Sequence, residues 1–128
     1  MKPLVLEWVR KAEADFTSAE REFRARKKPN YELSCFLSQQ CLEKYLKALL
    51  QERGIRFGRT HDLGVLLDLI APADPGLEIL RSGLDDLTRY AVAIRYPGES
   101  VGKRDARDAL SLCRTTRTRL RSILGLRG

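Results

Sequence analysis

The sequence predicts an all-α protein, an up-and-down antiparallel bundle of five helices, of which four are long and one is short. Apolar residues recur every three or four positions over most of the chain, which is the period of an amphipathic helix. No segment shows the strict alternation of apolar and polar residues that marks a half-buried strand. The periodic segments are joined by short connections, and short connections favour antiparallel neighbours.

The first two predicted helices are long. The first runs from about Leu4 to Arg26, with Pro3 at its first turn and Lys28-Pro29-Asn30 as its end. The second runs from about Tyr31 to Arg53 and ends at Gly54, a natural left-handed cap. The recurring apolar residues of the first helix are Leu4, Trp8, Ala12, Phe16, Ala19 and Phe23. One face of the second holds Tyr31, Cys35, Ser38, Leu42, Tyr45, Leu46 and Leu49.

Three further helices complete the prediction. The short third helix begins near Thr60 and ends before Pro72, and the fourth runs from about Pro75 to Pro97. The fifth covers about Lys103 to Leu124. The buried stripe predicted for the fourth consists of Leu80, Leu84, Leu87, Ala91 and Ile94. The buried face predicted for the fifth consists of Ala109, Leu112, Cys113, Thr116, Leu120 and Ile123.

Length and composition favour a single cytoplasmic domain spanning residues 1–128. A chain of 128 residues can bury one core without disulfides or a metal. The three cysteines, Cys35, Cys41 and Cys113, lack CxxC spacing and are predicted to be free thiols in a reducing compartment. One histidine does not suffice for a usual zinc site, so no metal or other cofactor is predicted. No apolar run is long enough to span a membrane, and Glu7 comes too early for a signal peptide.

Positive charge is concentrated at the C-terminal end of the chain. Residues 103–128 contain eight Lys or Arg against two acidic residues, which gives +6 of the formal net charge of +7. Five of these cations lie together beside the buried face of the fifth helix: Lys103, Arg107, Arg114, Arg117 and Arg121. This arginine stripe suits bidentate contact with phosphate, in nucleic acid or a nucleotide, or contact with an acidic protein. The alternative is a solvated charged face.

Three segments carry a family resemblance. They are Ser34–Leu50, SCFLSQQCLEKYLKALL, then Thr60-His61-Asp62-Leu63, then Arg95-Tyr96-Pro97. In this order and spacing they resemble the HEPN family (higher eukaryotes and prokaryotes nucleotide-binding domain). The resemblance implies a homodimer. It also implies a small nucleotidyltransferase as partner, in a toxin–antitoxin-like module.

Nuclease members of that family carry an Arg followed after four to six residues by a His, near the start of a late helix. Here no histidine follows Arg95, and this departure favours a non-catalytic protein. Arg56 and His61 have a similar spacing but lie between the second and third helices, so they are candidates for a displaced catalytic pair. The other interpretation places His61 in a helix start, where Thr60 caps backbone N–H groups and Asp62 faces the positive end of the helix dipole.

Two further sets of residues have a structural and a functional interpretation. Pro97 ends the fourth helix and places Arg95 and Tyr96 at one end of the bundle, either for structural reasons or to bind a phosphate or carboxylate. Leu33, Phe36 and Leu37 lie on the second side of the second helix. They are either covered by neighbouring helices or form the exposed apolar surface of a homodimer, which the resemblance favours.

The leading hypothesis is therefore a non-catalytic HEPN subunit of a nucleotidyltransferase-containing module that contacts a nucleotide or RNA. The phosphate-binding residues it names are Arg95, Tyr96 and the arginine stripe. The alternatives are a metal-independent RNase toxin that uses Arg56 and His61, and a helical adaptor with no nucleic-acid role. The missing late histidine favours the first hypothesis over the second, and the arginine stripe favours it over the third.

Overall fold

The computed structural model of the protein describes residues 1–92 and 95–127. Its five α-helices are α1 (Pro3–Arg24), α2 (Tyr31–Glu52), α3 (Leu63–Ile70), α4 (Arg81–Thr88) and α5 (Lys103–Ile123), and a 3-10 helix at Pro75–Leu80 precedes α4. These described residues form no strand. The predicted all-α fold of five helices is confirmed.

Helix α2 is the centre of the bundle, in contact with each of the other four α-helices. Its packing against α1 is the most extensive, and two small residues allow the close approach. The Ser34 hydroxyl donates to the Ala19 carbonyl of α1 at 2.8 Å, and the Ser38 hydroxyl donates back to the Ser34 carbonyl at 2.9 Å. From Cys41 to Leu50 every residue of α2 except Lys44 is buried, because neighbours cover it on all sides.

The ends of α2 have clear physical causes. Asn30 is the N-cap, and its side-chain oxygen accepts the Leu33 N–H at 2.9 Å. At the other end Gly54 takes the predicted left-handed conformation, with φ of +68°. In α1 the buried residues are Val5, Val9, Ala12, Phe16 and Ala19. Leu4, which the recurring pattern included, is exposed instead.

Helix α3 begins three residues later than the sequence predicted. The N-cap is Asp62, whose Oδ1 accepts the N–H groups of Gly64 at 2.9 Å and Val65 at 3.2 Å. The prediction that Thr60 caps this helix was wrong, because the Thr60 hydroxyl accepts the N–H of Asp62 at 3.1 Å, before the helix begins. Residues 53–62 consequently form a long connection that crosses the surface of α2.

The prediction of a single fourth helix from Pro75 to Pro97 was also wrong. After the 3-10 helix, α4 ends at Thr88 and the chain makes turns in which the Tyr90 and Ala91 N–H groups donate to Leu87 and Thr88 carbonyls. Leu84 and Leu87 are buried as predicted, whereas Ala91 lies beyond the helix end and Ile94 lies outside the described residues. The early end creates the site described below.

All three cysteines are buried free thiols, as predicted. Burial raises the pKa of the Cys35 thiol to about 11, although contact with Tyr90 acts in the opposite direction. Burial also raises the pKa of Cys41 well above its usual value, and Cys113 beside it adds to the effect. Both groups are therefore neutral, inert parts of the core.

Candidate anion-binding site

Two arginines and one tyrosine form the end of the bundle beyond α4. The Tyr90 ring is buried, and the guanidinium carbons of Arg89 and Arg95 lie 4.7 Å and 5.5 Å from its centroid. Arg89 also donates to the Tyr90 hydroxyl at 2.6 Å. Arg95 donates to the carbonyls of Val92 at 3.2 Å and Arg89 at 3.3 Å, so its side chain is bound to the backbone just after α4.

Tyr96 stands on a tight turn next to this cluster. The Glu99 N–H donates to the Tyr96 carbonyl at 3.0 Å, with Pro97 and Gly98 at the two central positions. Gly98 has φ of +93°, which the third position of a type II turn requires and which a side chain would make unfavourable. Tyr96 is 71% exposed, so its phenol is presented to solvent at the bundle end.

The cluster borders an open cleft of about 210 Å³. Its lining consists of Arg89, Tyr90, Arg95, Glu99, Ser100, Val101 and Asp105. Asp105 lies 3.8 Å from Arg89, but its Oδ2 also accepts the Gly102 N–H at 2.9 Å and so begins α5. Sequence reasoning found Arg95 and Tyr96 but missed Arg89 and Tyr90, because it placed both inside a continuous helix.

Three members of the arginine stripe have partners within the bundle. Arg117 makes a bidentate ion pair with Glu13 of α1, with N–O distances of 2.6 Å and 2.5 Å, and its side chain is only 14% exposed. Arg121 donates to the Tyr45 hydroxyl at 2.8 Å and to the Arg127 carbonyl. Arg114 donates to Glu20 at 2.9 Å. The counter-charges missing from α5 therefore come from α1, a contact that the pattern within one helix could not reveal.

Glu13 is the centre of this partly buried polar group. Besides Arg117 it accepts the Tyr45 hydroxyl, and Arg121 lies 3.7 Å away. Burial acts to raise the pKa of Glu13, but the hydrogen bonds from Arg117 and Tyr45 and the charges of both arginines outweigh burial and lower the pKa below its usual value. The Arg117–Glu13 pair is thus a fixed link between α1 and α5.

Lys103 and Arg107 complete the stripe and differ from its other members. Both are exposed, on the first two turns of α5, and neither has an ion pair or hydrogen-bond partner among residues 1–92 and 95–127. They share the N-terminal half of α5 with Asp105, which lines the cleft. The structure therefore separates the stripe into two solvated cations on the first two turns of α5 and three arginines that bind α1 or α2.

The two candidate catalytic residues are not joined to one another. Arg56 is exposed and lines a separate cavity of about 340 Å³ with Gln51, Gly54, Ile55 and Phe57. His61 instead pairs with Glu43 of α2, whose Oε1 lies 3.0 Å from the imidazole Nδ1. Sequence reasoning missed Glu43, because it lies in an apolar stretch of α2 and its partner is 18 residues away.

The predicted dimer residues, Leu33, Phe36 and Leu37, are all partly exposed in the isolated chain. Leu37 also packs against the core. Their use by a second copy stays a prediction. In the described part of the chain, no helix is long and apolar enough to cross a membrane. No group of three or more His, Cys, Asp or Glu in that same part could hold a metal ion.

Together, the fold and this site define a small helical-bundle protein with a cleft at one end that is lined by two arginines, two acidic residues and a tyrosine. A model of the HEPN domain matches residues 5–123, and the chain belongs to the HEPN family. It is similar to the crystal structure of ST0689, an archaeal HEPN homologue, at 31% identity and a TM-score of 0.73, over 95% of this chain and 98% of that one. The crystal structure of TT1696 from Thermus thermophilus is 25% identical, with a TM-score of 0.76, over 92% and 96% of the two chains. No curated protein matches the chain.

Proposed function

We propose that this protein is a cytoplasmic, non-catalytic HEPN subunit that binds phosphate groups of RNA or a nucleotide at the bundle end. The observation that carries the proposal is the pair of guanidinium groups, Arg89 and Arg95, against one buried tyrosine ring at the edge of an open cleft. Stacking fixes the two cations in place, so little side-chain entropy is lost when a phosphate binds. Lys103 and Arg107 add two further exposed cations on the first two turns of α5.

The proposal gives the arginine stripe an unequal role. Arg114, Arg117 and Arg121 already have carboxylate, hydroxyl or carbonyl partners, and a phosphate would have to displace them. Lys103 and Arg107 can contact phosphate without breaking a bond inside the bundle. We assign phosphate contact mainly to Lys103 and Arg107, and to Arg89 and Arg95, which line the open cleft although they also contact the Tyr90 hydroxyl, Asp105 or backbone carbonyls.

The proposed physiological assembly is a homodimer with a small nucleotidyltransferase as partner, in a toxin–antitoxin-like module. A nucleotidyltransferase needs metal-binding carboxylates, so its acidic mouth is complementary to Arg89 and Arg95 at this bundle end. Tyr96, exposed on a rigid turn, is the residue we expect such an enzyme to modify. Its hydroxyl would attack the α-phosphate of a nucleoside triphosphate, pyrophosphate would leave, and the phenolic proton would pass to a base of the enzyme. Pull-down of proteins encoded next to this chain, followed by intact-mass measurement, tests the partner and the modification separately.

The binding site is tested by fluorescence anisotropy with a labelled single-stranded oligonucleotide over a range of salt concentrations. Each phosphate neutralised contributes about −0.7 to the log–log slope of affinity against salt for a single strand. Replacing Lys103 and Arg107 by Gln removes two cations without breaking an internal contact, so we expect a slope shallower by about 1.4. Arg10→Gln, an exposed cation on α1, is the control. An unchanged slope in the double variant, or a loss equal to that of the control, would refute phosphate contact by Lys103 and Arg107.

One observation favours a second candidate function, a metal-independent RNase. The contact of His61 Nδ1 with Glu43 resembles the way a carboxylate orients the imidazole of a general acid or base. Arg56 would then stabilise charge on the phosphorus centre. Incubation of RNA with the protein and a chelator tests this candidate. Cleavage that disappears in His61→Ala would establish it, and intact RNA would support the non-catalytic assignment.

A further inference from the structure

A groove lies between helices α4 and α5. Helix α4 packs on α3 and α2, and its Leu84 and Leu87 side chains join the core. The space that remains beside α5 has a volume of about 440 Å³. Its apolar lining comes from Leu87 of α4 and from Ala109 and Leu112 of α5. A groove of this size and lining can receive an apolar side chain from another molecule.

Gly83 keeps this groove open. A Cβ atom at this position would lie 2.8 Å from Leu112 Cδ1 and 3.2 Å from Leu112 Cδ2, so any side chain would push Leu112 aside. Glycine inside a helix is less favourable than alanine, and Gly83 does not have the positive φ that would require it. What the glycine provides here is space beside Leu112.

The groove continues into a second, more open cleft of about 590 Å³ along the 3-10 helix and α4. Ser82 and Asp86 line both clefts, and Ile79, which is 77% exposed, lines the second. We call the two clefts together the α4 surface. The 3-10 helix has six residues and α4 has eight, which at about 2.0 and 1.5 Å per residue gives a length of about 24 Å.

The charge of this region is opposite to that of the whole chain. Residues 60–88 contain six acidic residues and one arginine, whereas the formal net charge of the chain is +7. The arginine, Arg81, is already paired with Glu78 and with Asp68 at 2.6 Å. An anionic ligand is therefore repelled from this part of the surface, and a cationic one is attracted.

Two carboxylates line the groove from opposite sides. Asp86 of α4 and Asp108 of α5 are both exposed, and neither has an ion pair or hydrogen bond with any residue that the structure describes. The cation in the groove, Arg89, lies at the end next to Tyr90 and is 3.8 Å from Asp105. The groove thus offers an apolar lining with an acidic residue on each side.

We propose that the α4 surface binds a basic amphipathic helix of a protein partner. An apolar residue of that helix occupies the groove beside Gly83 and Leu112, and a second one covers Ile79. Lys or Arg residues on its flanks face Asp86 and Asp108. Apolar anchors that recur every three or four residues are the usual means by which a helix binds in a groove. A helix of about 16 residues spans the whole surface.

This partner site goes beyond the phosphate site proposed above. The two adjoin and share Arg89, Tyr90 and Asp105. Gly83 and Asp86 line the α4 surface alone, so changes at these residues separate helix binding from phosphate binding.

The probe is a fluorescent peptide of about 16 residues with Leu at every third or fourth position, Ala elsewhere and Lys on both flanks of the Leu stripe. The comparison peptide has Glu in place of Lys. Most of this protein's surface repels the Lys peptide, because the net charge is +7. We expect a saturable rise in anisotropy with the Lys peptide and shifts of the backbone amide signals of Gly83, Asp86 and Leu112 in NMR. The Glu peptide should leave these three signals unchanged.

A glycine variant tests the groove. Gly83→Ala should weaken binding of the Lys peptide about tenfold, because the new methyl group moves Leu112 into the space that the peptide needs. The variant should fold at least as well as the wild type, since alanine favours a helix and Leu112 is partly exposed. Gly58→Ala is the matched control, because a Cβ atom there meets nothing within 4 Å.

A charge variant tests the sides of the groove. Asp86→Asn together with Asp108→Asn should weaken binding about tenfold at low salt and much less at high salt, as expected for two exposed ion pairs. Glu7→Gln together with Glu22→Gln changes two acidic residues of α1 and should leave the affinity unchanged.

Four results would overturn the proposal. The first is no binding of the Lys peptide at low salt, and the second is equal shifts of the same three signals with the Glu peptide. The third is an affinity of Gly83→Ala equal to that of Gly58→Ala. The fourth is a wild-type dimer in analytical ultracentrifugation that the Asp86 and Asp108 double variant converts to a monomer, because the α4 surface would then be occupied by a second copy of this chain.

Discussion

Glu13→Gln is the substitution that tests the packing of α5 most sharply. Gln keeps the shape of the side chain but removes its charge. The change weakens both hydrogen bonds from Arg117 and the bond from the Tyr45 hydroxyl. It also removes the carboxylate that pairs with the Arg117 guanidinium, which is largely buried and stacked 4.4 Å from the Phe16 ring centroid.

The expected loss follows from these contacts. Hydrogen bonds to charged groups contribute about 1.5–3 kcal/mol, and removing one partner of a buried pair costs about 3–5 kcal/mol. The Glu13 side chain is 31% exposed, so water compensates part of this loss. We expect the free energy of unfolding to fall by about 2 kcal/mol. With about 2.1 cal/mol/K of unfolding entropy per residue over 128 residues, this lowers Tm by about 7 °C.

Urea unfolding followed by circular dichroism measures the difference, and Glu20→Gln is the matched control. Glu20 also pairs with an arginine of α5, but that arginine, Arg114, is 47% exposed. The control should therefore change stability by at most ~0.5 kcal/mol. Equal losses in the two variants, or a loss below ~0.5 kcal/mol in Glu13→Gln, would show that the Arg117–Glu13 pair does not hold α5 on α1.

Three further predictions concern pH, assembly and thiol chemistry. The pKa of Glu13 is lower in the folded protein than its usual value of 4.5. Its contribution to stability is therefore fully present above about pH 4.5 and is lost as pH falls through the folded pKa. The urea midpoint should consequently drop more steeply below pH 4.5 in the wild type than in Glu13→Gln. Replacing Leu33, Phe36 and Leu37 by polar residues should convert a dimer into a helical monomer in analytical ultracentrifugation, and a wild type that is already monomeric at tens of micromolar would contradict the interface. With a pKa of about 11 and a buried side chain, Cys35 should react with a thiol reagent at pH 8 only as fast as the protein unfolds, so rapid labelling of the native protein would contradict its placement in the core.

Helix number and most of the core could be read from the sequence, because period and end signals agree within each long helix. Gly54 ended α2 as its type suggests, and Ser34 and Ser38 allowed the close α1–α2 approach. The errors lie where tertiary contacts override a local pattern. Tyr90 continues the apolar stripe of α4 in sequence, yet its ring stacks with Arg89 and Arg95 and the helix ends at Thr88.

The candidate sites were less accessible to sequence reasoning for a related reason. Considered alone, α5 has several arginines and no acidic residue beyond Asp108, whereas their partners Glu13 and Glu20 come from α1, about a hundred residues earlier in the chain. His61 was recognised as a helix-start residue, but its contact with Glu43 joins two segments that no short motif relates. Arg95 and Tyr96 could be found because Pro97 marks the turn that presents them.

The central claim, phosphate binding at the bundle end, is tested most directly by NMR of the arginine side-chain Nε–H groups during addition of a single-stranded oligonucleotide. The account predicts that the Arg89 and Arg95 signals shift in proportion to saturation. The signal of Arg117, whose side chain is paired with Glu13, should not shift. Saturable shifts at Arg117 with unchanged Arg89 and Arg95 signals would contradict the account, and so would the absence of any shift at low salt.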